Sequence, residues 1–163
     1  RDKDAIVASM TLCEAAAYYK TKNMTLWDAM LAMYERYGYY KDDVKAITLK
    51  GIEGLAKIQE IMTTLRDNTP AQIGEHKVLK ARDYKKDTIT DLETGAVTPT
   101  GLPNSNVLYY ELPDAAWVCF RPSGTEPKLK FYYGVKADSM EAADAKAAEL
   151  GAAVMAIVEP MLG

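Results

Sequence analysis

The chain has 163 residues, enough for one ordinary domain plus an appendage, and with 48% hydrophobic and 26% charged residues it is not a disordered segment. A net charge of -3 gives no basic field for nucleic acid or an anionic membrane, so neither is expected as a partner and any anion must be held by local geometry. No apolar run reaches the roughly 18 to 20 residues that span a bilayer, and no charged-then-apolar signal segment opens the sequence, so a cytoplasmic setting is expected.

Residues 4 to 22 are rich in alanine and place Ile6, Met10, Cys13, Ala17 and Tyr18 at spacings of three and four, which predicts a packing helix. Thr25 can cap a second helix with Leu26, Met30, Met33 and Tyr34 as its apolar stripe, and Gly38 can end it with positive φ. The pair makes a helical hairpin. A hairpin with one apolar face cannot bury that face alone, so it is expected to pack on a sheet, on a second copy, or to order poorly. Tyr37, Tyr39 and Tyr40 cluster at its end, read as an amphipathic rim in preference to a sugar-stacking surface. Cys13 and Cys119 belong to no Cys-x-x-Cys or Cys/His cluster, and both are expected to be reduced, buried and structural, with no metal site.

From Asp43 the pattern becomes extended through Val44, Ile47 and Leu49, and Gly51 opens a helix ending near Arg66. A boundary is placed here, giving residues 1–42 as a helical appendage and 43–163 as the main domain. Residues 67 to 74 read as a loop. Val78, Leu79 and Tyr84 are expected in one strand, and residues 91 to 106 in turns. His76, the sole histidine, falls in a polar stretch and is not expected to be catalytic. Three strands follow, over 107 to 112, 116 to 120 and 128 to 135, and Asp138 with Glu141 is expected to cap a last helix. Helix, antiparallel strands and helix in this order predict an α+β domain with helices on one face of a sheet.

The segment Arg121-Pro122-Ser123-Gly124-Thr125-Glu126-Pro127-Lys128 suits a bound phosphate. Arg121 can hold two phosphate oxygens, Ser123 and Thr125 can donate hydroxyl protons, Gly124 allows close backbone approach, and Lys128 adds a second charge. Pro122 and Pro127 restrict φ on both sides. An ordinary tight turn would also explain Pro-Ser-Gly-Thr, although not the basic residues that flank it. Glu126 would repel phosphate and is assigned to holding the turn, through backbone N–H groups.

Residues 121 to 128, with Leu129-Lys130-Phe131-Tyr132 after them, resemble the phosphate-binding loop in the last domain of the α-D-phosphohexomutases. Gly101-Leu102-Pro103-Asn104-Ser105-Asn106-Val107-Leu108 is similar to the segment leading into that loop in the family's phosphoglucomutase branch. Arg1-Asp2-Lys3-Asp4 resembles the stretch after the sugar-recognition loop of the third domain.

The resemblance implies a C-terminal fragment: residues 1–42 as the remnant of the third domain and 43–163 as the fourth. The phosphoserine loop, the Asp-Gly-Asp metal loop and the sugar loop would lie in missing N-terminal domains of the same chain. The intact enzyme would interconvert glucose 1-phosphate and glucose 6-phosphate through a phosphoserine and glucose 1,6-bisphosphate. Magnesium (Mg2+) would be bound outside residues 1–163. This part would grip the non-reacting phosphate of a phosphorylated hexose through Arg121, Ser123, Gly124, Thr125 and Lys128, and would be inactive alone. Arg1 and Lys3 would be cleft contacts, with Lys3 able to assist proton transfer, although they also read as a solvated helix start. Phosphomannomutase, phosphoglucosamine mutase or phosphopentomutase activity, or a non-catalytic phosphate-binding module, are the alternatives.

Overall fold

A computed structural model describes residues 3–162. It divides into two compact units that meet in sequence between Tyr39 and Tyr40, a little before the expected boundary, because the first strand already begins at Tyr39. In the first unit, α1 spans Ala5–Lys20 with the Asp4 carboxylate accepting from the Val7 N–H (3.0 Å), and α2 spans Leu26–Tyr37. The start of α2 is a reciprocal capping box: the Thr25 hydroxyl accepts from Asp28 N–H and the Asp28 carboxylate from Thr25 N–H. Gly38 ends it at φ 102°, a conformation that only glycine adopts cheaply, with its N–H on the Tyr34 carbonyl. No described residue of either helix is buried. Cys13 is exposed, contrary to the expected burial, because the face of α1 that carries it also leaves Ile6 76% and Met10 67% accessible.

The second unit is built on a seven-stranded sheet ordered β1-β9-β8-β7-β4-β5-β6. The strands are β1 (Tyr39–Thr48), β4 (Lys80–Asp83), β5 (Thr88–Asp91), β6 (Val97–Thr98), β7 (Leu108–Glu111), β8 (Trp117–Pro122) and β9 (Lys128–Ala137). β2 (Gln72–Ile73) and β3 (His76–Lys77) form a separate two-stranded hairpin, so His76 sits in a strand opposite Ile73 and not in a loop. Val78, Leu79 and Tyr84, expected in one strand, all fall outside β4, the first two just before it and Tyr84 in the turn after it. β5 and β6 lie within or beside the stretch expected to be turns: the Asp91 carboxylate accepts from the N–H groups of Glu93 and Thr94 and folds the chain back between them.

α3 (Gly51–Asp67) and α4 (Met140–Val158) cover one face. The side chains at alternate positions Leu108, Tyr110, Val118, Phe120, Leu129, Phe131, Tyr133 and Val135 join Ile58, Ile61, Met62 and Leu65 of α3 and Leu150 and Val154 of α4 in one buried cluster. Burial of each large apolar side chain contributes about 1.5 to 3 kcal/mol, which makes this cluster the main support of the unit. The fold is therefore α+β, an antiparallel sheet with helices on one face. Ser139 caps α4 by accepting from Ala142 N–H (3.1 Å), in place of the expected Asp138, because it is Ser139 that stands three residues before the first free N–H in reach.

One buried ion pair ties the end of α3 to the sheet. Arg66 Nε donates to Asp83 (2.9 Å) and its other nitrogens to the Met62 carbonyl and Asn106 Oδ1. Burial also pushes the Tyr110 phenol up, and its hydroxyl donates to the Leu65 carbonyl. In β9, a side chain at Gly134 would collide with the Trp117 indole and the Asp42 carboxylate, so the close approach of these groups requires glycine.

Candidate functional site

The alternation that sends Phe120, Leu129 and Phe131 into the core sends Arg121, Lys130 and Tyr132 to the opposite, uncovered face. β8 and β9 pair in register, with Arg121 directly opposite Lys130, and the connection between them is the turn from Ser123 to Pro127. Ser123 N–H donates to the Lys128 carbonyl (2.8 Å) and closes the hairpin. Leu49 N–H donates to the Pro127 carbonyl (2.9 Å) and fastens the turn to the end of β1.

These constraints shape a cavity of about 300 Å³ lined by Arg121, Pro122, Ser123, Gly124, Thr125, Lys130 and Tyr132. Its charged lining is a guanidinium and an ammonium, with no carboxylate. Like charges opposite one another in a sheet are destabilising, and among the described residues neither Arg121 nor Lys130 has an ion-pair partner. An anion placed between them removes that repulsion. Gly124 lies at the rim, where an added Cβ would meet nothing within 4 Å and where φ is not positive. Among the described residues, neither packing nor backbone conformation demands glycine there.

The structure thus brings together four of the five predicted contacts, Arg121, Ser123, Gly124 and Thr125, and adds Lys130 and Tyr132. Lys128 does not line the cavity; its ammonium pairs with the Glu126 carboxylate at 3.3 Å. The assignment of Glu126 to backbone N–H groups is corrected accordingly. That task falls to Ser123, whose Oγ accepts from the N–H groups of Thr125 (3.4 Å) and Glu126 (3.3 Å), leaving its hydroxyl proton to donate outward. Arg1 lies outside the described residues, and Lys3 belongs to the first unit, immediately before the Asp4 cap. Lys130 was legible in principle: Arg121 and Lys130 are equidistant from the Thr125–Glu126 bond, about which the hairpin pairs its residues.

On the other side of Arg121 lies a larger hollow of about 470 Å³, reaching to Tyr109 and to the loop before β7. Cys119 forms part of its floor. Burial pushes the Cys119 thiol up to about 11, with the Arg121 guanidinium acting weakly in the opposite direction, so this cysteine stays protonated and inert at neutral pH.

No family model matches the chain. Curated sequences do: a phosphoglucomutase from Staphylococcus aureus (strain bovine RF122 / ET3-1) is 36% identical over 141 residues, 86% of this chain and 25% of its own length. A phosphoglucomutase from Staphylococcus epidermidis (strain ATCC 35984) is 33% identical over 141 residues, 86% of this chain and 26% of its own. The chain spans about a quarter of the length of these curated relatives. Among solved structures, the open form of the exocytosis-sensitive phosphoprotein pp63/parafusin, a phosphoglucomutase from Paramecium, matches 98% of this chain and 28% of its own with a TM-score of 0.55. At 19% identity that likeness establishes a shared fold.

Proposed function

Because this chain belongs to the phosphoglucomutase branch of the α-D-phosphohexomutases, we propose that its cradle grips the non-reacting phosphate of a hexose phosphate. The observation that carries this reading is the facing pair Arg121 and Lys130 at the mouth of a cavity with hydroxyl donors and no carboxylate. Arg121 would bind two phosphate oxygens through its fork, Lys130 a third, and the hydroxyls of Ser123 and Thr125 would orient the group. Each charge-assisted bond contributes on the order of 1.5 to 3 kcal/mol where water is excluded and less in an open turn.

In this reading the chain is the C-terminal part of an enzyme that interconverts glucose 1-phosphate and glucose 6-phosphate through a phosphoserine and glucose 1,6-bisphosphate. The cradle's task is to hold one phosphate while the other faces the reacting centre, so that binding energy remote from the chemistry orients the substrate. Glucose is proposed because the similar curated sequences are phosphoglucomutases. Magnesium would neutralise charge on the transferring phosphoryl group elsewhere in the full-length protein; a site lined by a guanidinium and an ammonium does not fit a divalent cation, and no step in this chain runs through it. Alone, the chain would bind hexose phosphate only at about millimolar affinity, worth roughly 4 kcal/mol, and would not turn it over.

An amide NMR titration with glucose 6-phosphate tests the reading, with glucose and inorganic phosphate as controls and Arg121→Ala as the comparison. Shifts centred on residues 121 to 130, shared by both phosphates and lost in the variant, are expected. Absence of shifts at roughly tens of millimolar would overturn the cradle, and robust turnover by the purified chain would overturn its inactivity.

A further inference from the structure

The hollow on the far side of Arg121 has a chemistry unlike that of the cradle. Leu102, Pro103 and Val107 of the loop before β7 line it, with Tyr109 of β7 and Cys119 of β8, which stand opposite each other in register. A hexose offers a hydroxyl at nearly every carbon and would lose hydrogen bonds against such walls. A planar ring would not, because Tyr84 and Tyr109 contribute aromatic side chains and Leu102, Pro103 and Val107 aliphatic ones to an open, mainly apolar lining.

The walls are already in place. The Asp87 carboxylate accepts from the N–H groups of Thr100 (3.0 Å) and Gly101 (3.1 Å), Asn104 donates to the Lys85 carbonyl (2.7 Å), and Ser105 N–H donates to the Tyr84 carbonyl (3.2 Å). Tyr109 is held by Trp117, stacked at 5.4 Å, and by the Arg82 guanidinium 5.7 Å from its ring. A ligand entering this hollow has little ordering left to impose.

Arg121 lines both the hollow and the cradle. A ring over the Tyr109–Cys119 pair lies one interstrand spacing across, and two residues along β8, from a phosphate between Arg121 and Lys130, roughly 8 Å in all, so the two must be separated by a spacer. A ribose is such a spacer. We propose that the hollow is a second subsite, which takes the base of a nucleoside monophosphate whose phosphate occupies the cradle. The proposal rests on the cradle binding phosphate, and it is independent of which reaction the full-length protein performs.

The test is an amide NMR titration of the full chain with AMP, ribose 5-phosphate, phenyl phosphate and inorganic phosphate, repeated on Leu102→Asp. Leu102 is 55% exposed, so the variant sets a carboxylate at the mouth of the hollow without disturbing the core. AMP is expected to shift Ser105, Tyr109 and Cys119 together with residues 121 to 125, and to bind about tenfold more tightly than ribose 5-phosphate. Phenyl phosphate, with no spacer, should bind no better than inorganic phosphate. Leu102→Asp should remove the advantage of AMP and leave the phosphate titration unchanged. Equal affinities for AMP and ribose 5-phosphate, unmoved hollow amides, or an advantage that survives Leu102→Asp would each overturn the second subsite. If inorganic phosphate and ribose 5-phosphate leave the cradle unmoved, the cradle reading fails as well, and shifts caused by the base alone would still refute a joined site.

Discussion

Replacing Lys130 by methionine keeps the apolar stem and removes the ammonium, and the register with Arg121 predicts opposite effects on stability and on anion binding. Two like charges about 6 Å apart in a fully hydrated setting repel by about 0.7 kcal/mol, which screening at physiological salt roughly halves. Without ligand, Lys130→Met should therefore raise the melting temperature by about 1 °C, given the shift of roughly 2 to 4 °C per kcal/mol for a chain of this size. With phosphate, the variant loses a charge-assisted bond worth about 1.5 kcal/mol at a half-open site, which is about tenfold in affinity. Lys128→Met is the internal control. It breaks only the exposed pair with Glu126, an interaction worth at most about 1 kcal/mol, and should leave phosphate affinity nearly unchanged. Thermal melts with and without phosphate, together with amide titrations of both variants, read out all four quantities. The reasoning is refuted if Lys130→Met destabilises the unliganded chain, or if Lys128→Met loses as much affinity as Lys130→Met.

Two further outcomes follow from the supporting structure. Arg66→Ala should cost about 3 to 5 kcal/mol in urea unfolding, because the Arg66 and Asp83 side chains are only 6% and 11% exposed and the carboxylate would be left buried without its cation; a loss below about 1 kcal/mol would mean that water reaches the pair. The hydroxyl of Thr100, with the N–H groups of Gly101 and Thr100, holds the Asp87 carboxyl below the usual carboxylate range. Its folded pKa being depressed, its contribution is present above the unfolded value of about 3.9 and is lost as pH falls through the lower folded one. The amides of residues 100 to 102 should accordingly move only below about pH 3.9, and a midpoint at or above that value would contradict the capping role.

Local chemistry made much of this fold legible. Thr25 and Gly38 bracket α2 because one can accept an orphan N–H and the other can take positive φ, and both properties are independent of tertiary context. β7, β8 and β9 were readable from alternation, since one face of each is buried under helices. β5 and β6 were missed although Thr88, Ile89 and Thr90 are good strand formers, because the Asp91 and Gly95 turn signals outweighed them. Cys13 illustrates a different limit: periodicity shows which residues share a helix face, and says nothing about whether that face is covered. In the site, the sequence pointed to the turn and put Lys128, inside the motif, ahead of Lys130. Hairpin register reverses that ranking, placing Lys130 at the cavity and committing Lys128 to Glu126.

The hydrogen bond from Leu49 to the Pro127 carbonyl gives the turn a mechanical connection as well as a shape. A turn held only by its own two strands could flex as a free flap, absorbing any displacement a ligand imposes. This one is latched to the corner where β1 runs into α3, so a shift of Pro127 must either strain that latch or carry the corner with it. An anion bound at the turn would therefore load the segment around residue 49 through the same joint.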